Sequence, residues 1–291
     1  MIALAHKIYG KIQAYGKLVM FSHTLFSLSF ALLAMVLAAQ GLPRISTIFW
    51  ILLCFLGART GANAINRVID RRFDEKNPRT ADRQVPKGEI KPVEVIAITA
   101  VSFAAMVLGA AMLNPLCLML SPVALFLLIT YSYTKRYTFL CHLYLGVTCA
   151  CAPVGAWLAV TGRIELLPLI MGAANTLWVA GFDIIYGSQD YEFDKREGLH
   201  SIPVTFGVQG ALRISMLFHI VTLALLILLG ILAPQLGLVY FIGLALIAGL
   251  FIAEYRMVSP DNLTKVKFAS YSINQLVSVT LLLFGLADAL L

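Results

Sequence analysis

RTGANAINRVIDRRFDEKNPRTADRQVPKGEIKPVE, residues 59–94, is the stretch on which the reading of this chain turns. It opens as the tail of an apolar helix and passes into a dense run of charge. Asn66, Asp70 and Asp74 are spaced i, i+4, i+8. On a 3.6-residue helix they share one face and stack over about 12 Å. A second stretch, DIIYGSQDYEFD at residues 183–194, repeats the plan with Asp183, Tyr186, Asp190 and Asp194. Of the 15 acidic residues, 11 lie in residues 70–94 and 183–197. A solvated charged loop does not account for that concentration.

The rest of the composition says what surrounds these stretches. The 291 residues are 60% hydrophobic and only 13% charged, against roughly 25% charged in an ordinary soluble domain. Apolar runs near the ~20 residues that a bilayer requires recur from end to end. They fall at about 19–39, 46–66, 94–113, 115–132, 139–160, 165–186, 211–232, 236–257 and 268–290. The pair 94–132 is divided only by Asn114-Pro115. The expectation is an all-α polytopic membrane protein of about nine transmembrane helices. Helices are the spanning form because lipid offers the backbone no hydrogen-bond partners. Residues 1–291 read as a single membrane domain, with an N-terminal half at about 19–132 and a C-terminal half at about 139–290.

Charge sorts the loops. Lys7, Lys11, Lys17, the basic residues of 67–91, Lys135, Arg136, Lys195, Arg196, Arg213, Arg256, Lys265 and Lys267 fall on one side. The opposite loops hold Arg44 and Arg163. The positive-inside rule places the N-terminus and both Asp stretches in the cytoplasm and the C-terminus outside. The net charge of +7 therefore reads as topology and anion binding, with no nucleic-acid partner. The five cysteines show neither a CxxC pair nor zinc-ligand spacing and read as small apolar packing residues. The N-terminus reads as a polar interfacial segment over 1–18, followed by a retained first span. His23 in that span reads as a packing residue. The fifth span is expected to kink at Pro153. His219, Glu254, Asn274, Gln275 and Asp288 are the few polar groups of the last three spans, which read as packing and as walls of a lipid-accessible cavity.

Arg59 lies inside the second span, about two turns before Asn66. An arginine there costs roughly 2.5–3.5 kcal/mol or more unless it faces a polar cavity with a partner. That partner is either one of the aspartates or the carboxylate of a substrate, which suits a planar bidentate donor.

Two carboxylate ladders at the ends of two apolar helices match hard-cation chemistry. Magnesium is commonly held by one or two carboxylates together with substrate phosphates. Asp70 and Asp74 facing Asp190 and Asp194 would hold two or more such ions, bridged by a diphosphate. Lys135, Arg79, Arg83 and Lys195 would neutralise the remaining charge. A cavity polar at its mouth and apolar within suits a lipid diphosphate. Magnesium as a Lewis acid stabilises the leaving diphosphate. Tyr186 and Tyr131 are candidates to face the allylic cation that forms, and an electron-rich aromatic ring then attacks it.

NRVIDRRFDEKNPRTADR resembles the first signature of the UbiA superfamily of intramembrane prenyltransferases, N-x3-D-x3-D followed by R-T-x2-R. DIIYGSQDYEFD resembles the second, D-x2-Y-x3-D-x3-D. The paired signatures, their separation and the span count extend the resemblance over nearly the whole chain. It implies two four-helix halves around a central cavity and Mg-dependent prenyl transfer. Carried over by position, Asn66, Asp70, Asp74, Asp190 and Asp194 would bind Mg-diphosphate, with Asp70, Asp190 and Tyr186 at the reaction. Tyr131 and Lys135 match a tyrosine–lysine pair that contacts diphosphate. Arg59 resembles the buried arginine of 4-hydroxybenzoate-type members, with Asp183 beside it on the acceptor side. Arg67 departs from the family pattern, where many members have Asp. The form NR-x2-D with NPRT resembles the 4-hydroxybenzoate polyprenyltransferase-like branch, some of whose members are expected to use dihydroxynaphthoate.

The expected activity is transfer of a polyprenyl group to the ring of an aromatic acid in quinone biosynthesis. The same chemistry on 1,4-dihydroxy-6-naphthoate, in a menaquinone route, is the nearest alternative. A haem or chlorophyll precursor is a further acceptor, against which Arg59 argues. A secondary transporter is the alternative of another class. Transporter charges tend to sit at the bilayer midplane, whereas these carboxylates sit at helix ends.

Overall fold

A computed structural model describes Gly16 and residues 25–291. The interfacial segment and His23 fall outside the described residues. Among these residues the chain is helical, with one isolated bridge between Ser259 and Asn262. The helices are α1 (Leu25–Ala39), α2 (Ile45–Ile69), α3 (Arg71–Lys76), α4 (Pro92–Leu113), α5 (Pro115–Thr134) and α6 (Cys141–Thr161). They continue as α7 (Leu166–Gly187), α8 (Tyr191–Arg196), α9 (Ile202–Leu232), α10 (Leu238–Met257) and α11 (Asn274–Leu290). A 3₁₀ turn (Ser188–Asp190) joins α7 to α8, and a π-helical turn (Phe268–Ile273) precedes α11. Among the described residues, eight helical segments are long and apolar enough to cross a bilayer, and α1 is a shorter apolar helix.

Local chemistry sets the boundaries. Asn114 ends α4 in extended conformation, and its side chain caps α5 by accepting from the Cys117 N–H at 2.9 Å. Pro115 follows at the first turn of α5, where its missing N–H costs nothing. Two adjacent apolar runs thereby become two helices. The helix expected at 211–232 begins earlier, at Ile202. Ser201 accepts from the Val204 N–H, and the chain then breaks at Gly207, whose φ of +69° suits a residue without Cβ. The helix α6 contains Pro153 and remains helical from Cys141 to Thr161.

Helices adjacent in sequence mostly pack side by side: α2 on α4, α6 on α7, α7 on α9 and α10 on α11. The exception is α1, which packs on α6 and α11 and touches α7. Phe30, Leu33 and Leu37 on it are buried, and Phe30 stacks on Trp178 of α7 at 5.3 Å. The outer faces, by contrast, display Leu108, Met112, Phe126, Ile231 and Leu283. Apolar exposure on that scale marks surface facing hydrocarbon.

Both Asp stretches depart from a continuous helix at the same point. The second helix does not run on unbroken through Asp70 and Asp74: α2 ends at Ile69, and Asp70 has φ −91°, ψ 3°. Asp190 has φ −94°, ψ 6°. Each then starts a six-residue helix, α3 or α8, that carries Asp74 or Asp194. This is the sparsely occupied bridge region of backbone space, entered at equivalent positions 120 residues apart.

Candidate active site

The short helices α3 and α8 bring both Asp stretches to one polar cavity of about 180 Å³. Asn66, Asp70, Asp74, Arg79, Arg83, Lys135, Asp190 and Asp194 all line it. Asn66 donates to Asp70 Oδ2 at 2.6 Å and to Ser132 Oγ at 3.1 Å. The amide thus ties the ladder on α2 to α5. Arg67, in the position where the resemblance expects Asp, is buried and does not line this cavity.

Each of the four ladder carboxylates meets its own permanent cation. Arg79 forms a fork on Asp190, Nε to Oδ1 at 2.9 Å and Nη2 to Oδ2 at 2.6 Å. Arg83 Nη1 lies 2.6 Å from Asp74 Oδ1. Lys135 Nζ lies 2.6 Å from Asp194 Oδ2, and Arg136 Nη2 lies 3.2 Å from Asp70 Oδ1. Arg136 also donates to the Ile69 carbonyl at 2.6 Å, closing off the end of α2. Two of these pairs shift the groups outside the spans. Burial works against the charge of Arg79, but the bonds to Asp190 hold its guanidinium above the ordinary value. Burial pushes the Asp70 carboxyl up, and the Arg136 hydrogen bond opposes it.

The first half reaches into the second through the loop after α3. Asn77 donates to Asp190 Oδ1 at 3.0 Å, and Arg79 Nη1 donates to the Tyr186 hydroxyl at 2.8 Å. The Arg79 guanidinium also lies 5.0 Å from the centre of the Tyr186 ring. Tyr271, set on the π-helical turn, stands 4.6 Å from the same ring.

A second, apolar cavity of about 330 Å³ lies one helical turn further in. Arg59, Asn63 and Tyr131 line it among residues of α2, α4, α5 and α6. The two cavities adjoin on α2 between Asn63 and Asn66, a rise of about 4.5 Å. They adjoin again on α5 between Tyr131 and Ser132. A polar mouth over an apolar chamber is the arrangement expected for a lipid with a charged head.

Not every residue expected at the diphosphate end stands there. Tyr131 lines the apolar cavity, its hydroxyl 3.3 Å from the Ala62 carbonyl. Lys195 does not line the polar cavity; its ammonium lies 5.8 Å from the Tyr191 ring. On a six-residue helix, Lys195 directly follows Asp194 and points elsewhere when Asp194 faces inward. Asp183 bonds His142 at 2.7 Å rather than joining the ladder. His142, Arg136 and Tyr271 were not singled out by any motif. Arg136 resembled a topology determinant, while His142 and Tyr271 lie in apolar runs with no local signature.

Magnesium fits this donor set. Among the described residues no three His, Cys, Asp or Glu side chains converge as a preformed cage. A cation held by one or two carboxylates plus phosphate oxygens needs no such cage. The cavity offers hard oxygen donors from both halves and an equal number of cations able to pair with phosphate.

Residues 27–276 match the model of the UbiA prenyltransferase family. The chain belongs to that family. It is 32% identical to a 4-hydroxybenzoate octaprenyltransferase of Vibrio campbellii over 85% of this chain and 88% of that protein. An Aeromonas hydrophila protein of the same name is 34% identical over 81% of each. The solved apo structure of a UbiA homolog from Aeropyrum pernix K1 superposes with a TM-score of 0.83, at 33% identity, covering 92% of this chain and 98% of that one. A UbiA homolog from Archaeoglobus fulgidus bound to DMAPP and Mg2+ shares the fold, with a TM-score of 0.66 at 21% identity over 92% and 98%. As a UbiA prenyltransferase, this chain is a multi-pass integral membrane enzyme.

Proposed function

We propose that this protein transfers a polyprenyl group from a polyprenyl diphosphate to the ring of an aromatic acid of the 4-hydroxybenzoate type, in quinone biosynthesis. The observation that carries the reading is the junction of the polar Asp cavity with an apolar cavity that contains Arg59. Names of the curated relatives support the acceptor class. Asn66, Asp70, Asp74, Asp190 and Asp194 would hold magnesium and the diphosphate at the cytoplasmic face. Bound magnesium supplies charge neutralisation of the departing diphosphate.

The protein's own cations complete the work. Arg79, Arg83 and Lys135 each hold a carboxylate that magnesium requires. With Mg-diphosphate bound, the carboxylates would hold the metal and these guanidinium and ammonium groups would be free to pair with phosphate oxygens. Fork-shaped Arg79 is suited to both, because carboxylate and phosphate present similar oxygen pairs. The prenyl tail occupies the apolar cavity, and Arg59 orients the acceptor through its carboxylate. Asp183 stands on the acceptor side. The chamber excludes water that would otherwise capture the allylic cation.

Membranes carrying the protein, given farnesyl diphosphate and Mg²⁺, are expected to prenylate 4-hydroxybenzoate. Asp70→Asn and Asp190→Asn are expected to abolish turnover while the protein still inserts. Substantial activity in either variant would sink the assignment of the ladders. Transfer to 1,4-dihydroxy-6-naphthoate instead would move the acceptor, and the same site would serve. Ion flux in proteoliposomes without transfer would restore a transporter.

A further inference from the structure

The apolar chamber runs away from the Asp ladders along three helices. On α5 its lining extends from Tyr131, next to the polar cavity, to Cys117, about 21 Å along the axis. Leu113, Cys117, Leu158 and Ala159 line the far end. Asn114 Nδ2 donates to the Leu158 carbonyl at 2.8 Å, which fastens the α4–α5 turn to the last turn of α6. Leu158 and Ala159 are buried there. These contacts cap the chamber opposite the ladders.

The helix α6 contains two glycines, Gly146 and Gly155. In membrane helices glycine commonly lets backbones approach closely. Gly146 does so: a Cβ there would collide with the Thr176 carbonyl of α7. Gly155 does not: a Cβ there would meet no atom of another helix within 4 Å. The space in front of Gly155 is the chamber, which it lines. Gly155 stands about 15 Å along α6 from Leu145 at the ladder end, in a lining that reaches Ala159 at about 21 Å. Glycine weakens a helix interior relative to alanine, and no packing contact uses its missing side chain here.

We propose that Gly155 determines which prenyl chain lengths the protein accepts, by leaving the outer part of the chamber open to the tail. The inference rests on the reading above, in which the prenyl tail occupies this chamber. With the diphosphate held at the ladders, the number of isoprene units fixes how deep a tail reaches. Short tails end before Gly155. Longer tails pass it and use the space that its missing side chain leaves. A side chain at position 155 projects into that space, and close-packed surroundings do not absorb the overlap. Arg79 lines the polar mouth, and Arg59 stands nearer to that mouth than Gly155 does. Bulk at position 155 therefore acts on the tail and not on the reacting groups.

The test measures kcat/KM for geranyl, farnesyl and geranylgeranyl diphosphate in membranes carrying the full chain, with 4-hydroxybenzoate and Mg²⁺. Gly155→Ala and Gly155→Leu are compared with Gly249→Leu. Gly249, on α10, also has no atom of another helix within 4 Å of a Cβ, but it lines neither cavity. The ratio of kcat/KM for the geranyl donor to that for the geranylgeranyl donor is expected to rise about 10-fold or more in Gly155→Leu. A smaller rise in the same direction is expected in Gly155→Ala, and none in Gly249→Leu. An unchanged ratio in an active Gly155→Leu overturns the inference. It would mean that the tail leaves the chamber past Val123, which lines it and is 55% exposed. An equal rise in Gly249→Leu overturns it as well, by assigning the effect to helix stiffness. If Gly155→Leu turns over no donor, the ratio in Gly155→Ala decides, and no rise there overturns the inference. Absence of transfer by the unsubstituted protein with all three donors overturns the function proposed above, and this inference with it.

Discussion

Residue by residue, the site is a set of paired charges in which geometry matters as much as sign. Arg79 makes two bonds to one carboxylate and a third to the Tyr186 hydroxyl. Lysine would keep the charge and lose the fork. Arg79→Lys is therefore expected to lower kcat/KM for the prenyl diphosphate by about 10-fold, read from initial rates at saturating acceptor. An unchanged value would show that charge alone suffices. Arg59 works on the other substrate. Arg59→Lys is expected to raise KM for the aromatic acid by about 10-fold and leave KM for the prenyl diphosphate level. A rise in both constants would assign Arg59 to the shape of the chamber as a whole.

Among the elements, the π-helical turn Phe268–Ile273 needs support that a regular helix does not. Asn274 supplies it. Its Nδ2 donates to Glu254 Oε1 at 2.7 Å and lies near the carbonyls of Ala269 and Ser270, and its Oδ1 accepts from Trp178 Nε1 at 2.6 Å. All three side chains are fully buried. Short π turns recur at functional sites, and this one carries Tyr271 against Tyr186. Asn274→Ala would leave the Trp178 N–H and Glu254 Oε1 unsatisfied, at about 1–3 kcal/mol for each. A fall in thermal midpoint with a loss of turnover is expected; a variant as stable and active as the parent would show that the turn holds itself. Close helix packing imposes a second constraint. A Cβ on Gly57 would sit 2.5 Å from the Ser102 carbonyl of α4. Backbone cannot yield there as a side chain can, so α2 and α4 approach only because the residue is glycine.

Taken whole, the molecule is two Asp-bearing segments locked across a shared mouth. Arg79 and Asn77 reach Asp190, and Lys76 meets Glu197 at 2.6 Å. Ligand that bridges the ladders should tighten that lock. Mg²⁺ with inorganic pyrophosphate at about 100 times its Kd is expected to stabilise the protein by about 2.7 kcal/mol, read as a rise in the thermal midpoint. EDTA should remove the rise while pyrophosphate remains. A rise that survives chelation would mean that the cations alone hold the diphosphate.

Much of this was legible in the residue order. Lengths of apolar runs foretold most helices within a few residues, the start of α9 at Ile202 being the exception, and Asn114-Pro115 marked a true boundary, because capping and chain stiffness act locally. The spacing Asn66, Asp70, Asp74 announced one face of one helix; the structure keeps all three at one cavity but breaks the helix at Asp70. The sequence by itself thus determined the helical class, the recurrence of apolar runs of membrane-spanning length and which acids lie close along the chain, since all three follow from interactions a few residues apart. The tertiary structure alone decided which cation meets which carboxylate, that Lys195 turns aside while Arg136 turns in, that α1 packs among α6, α7 and α11, and that His142 backs Asp183. Partners such as Arg79 and Asp190 are 111 residues apart. No periodicity relates residues so distant; only the packing of the helices between them brings the two together.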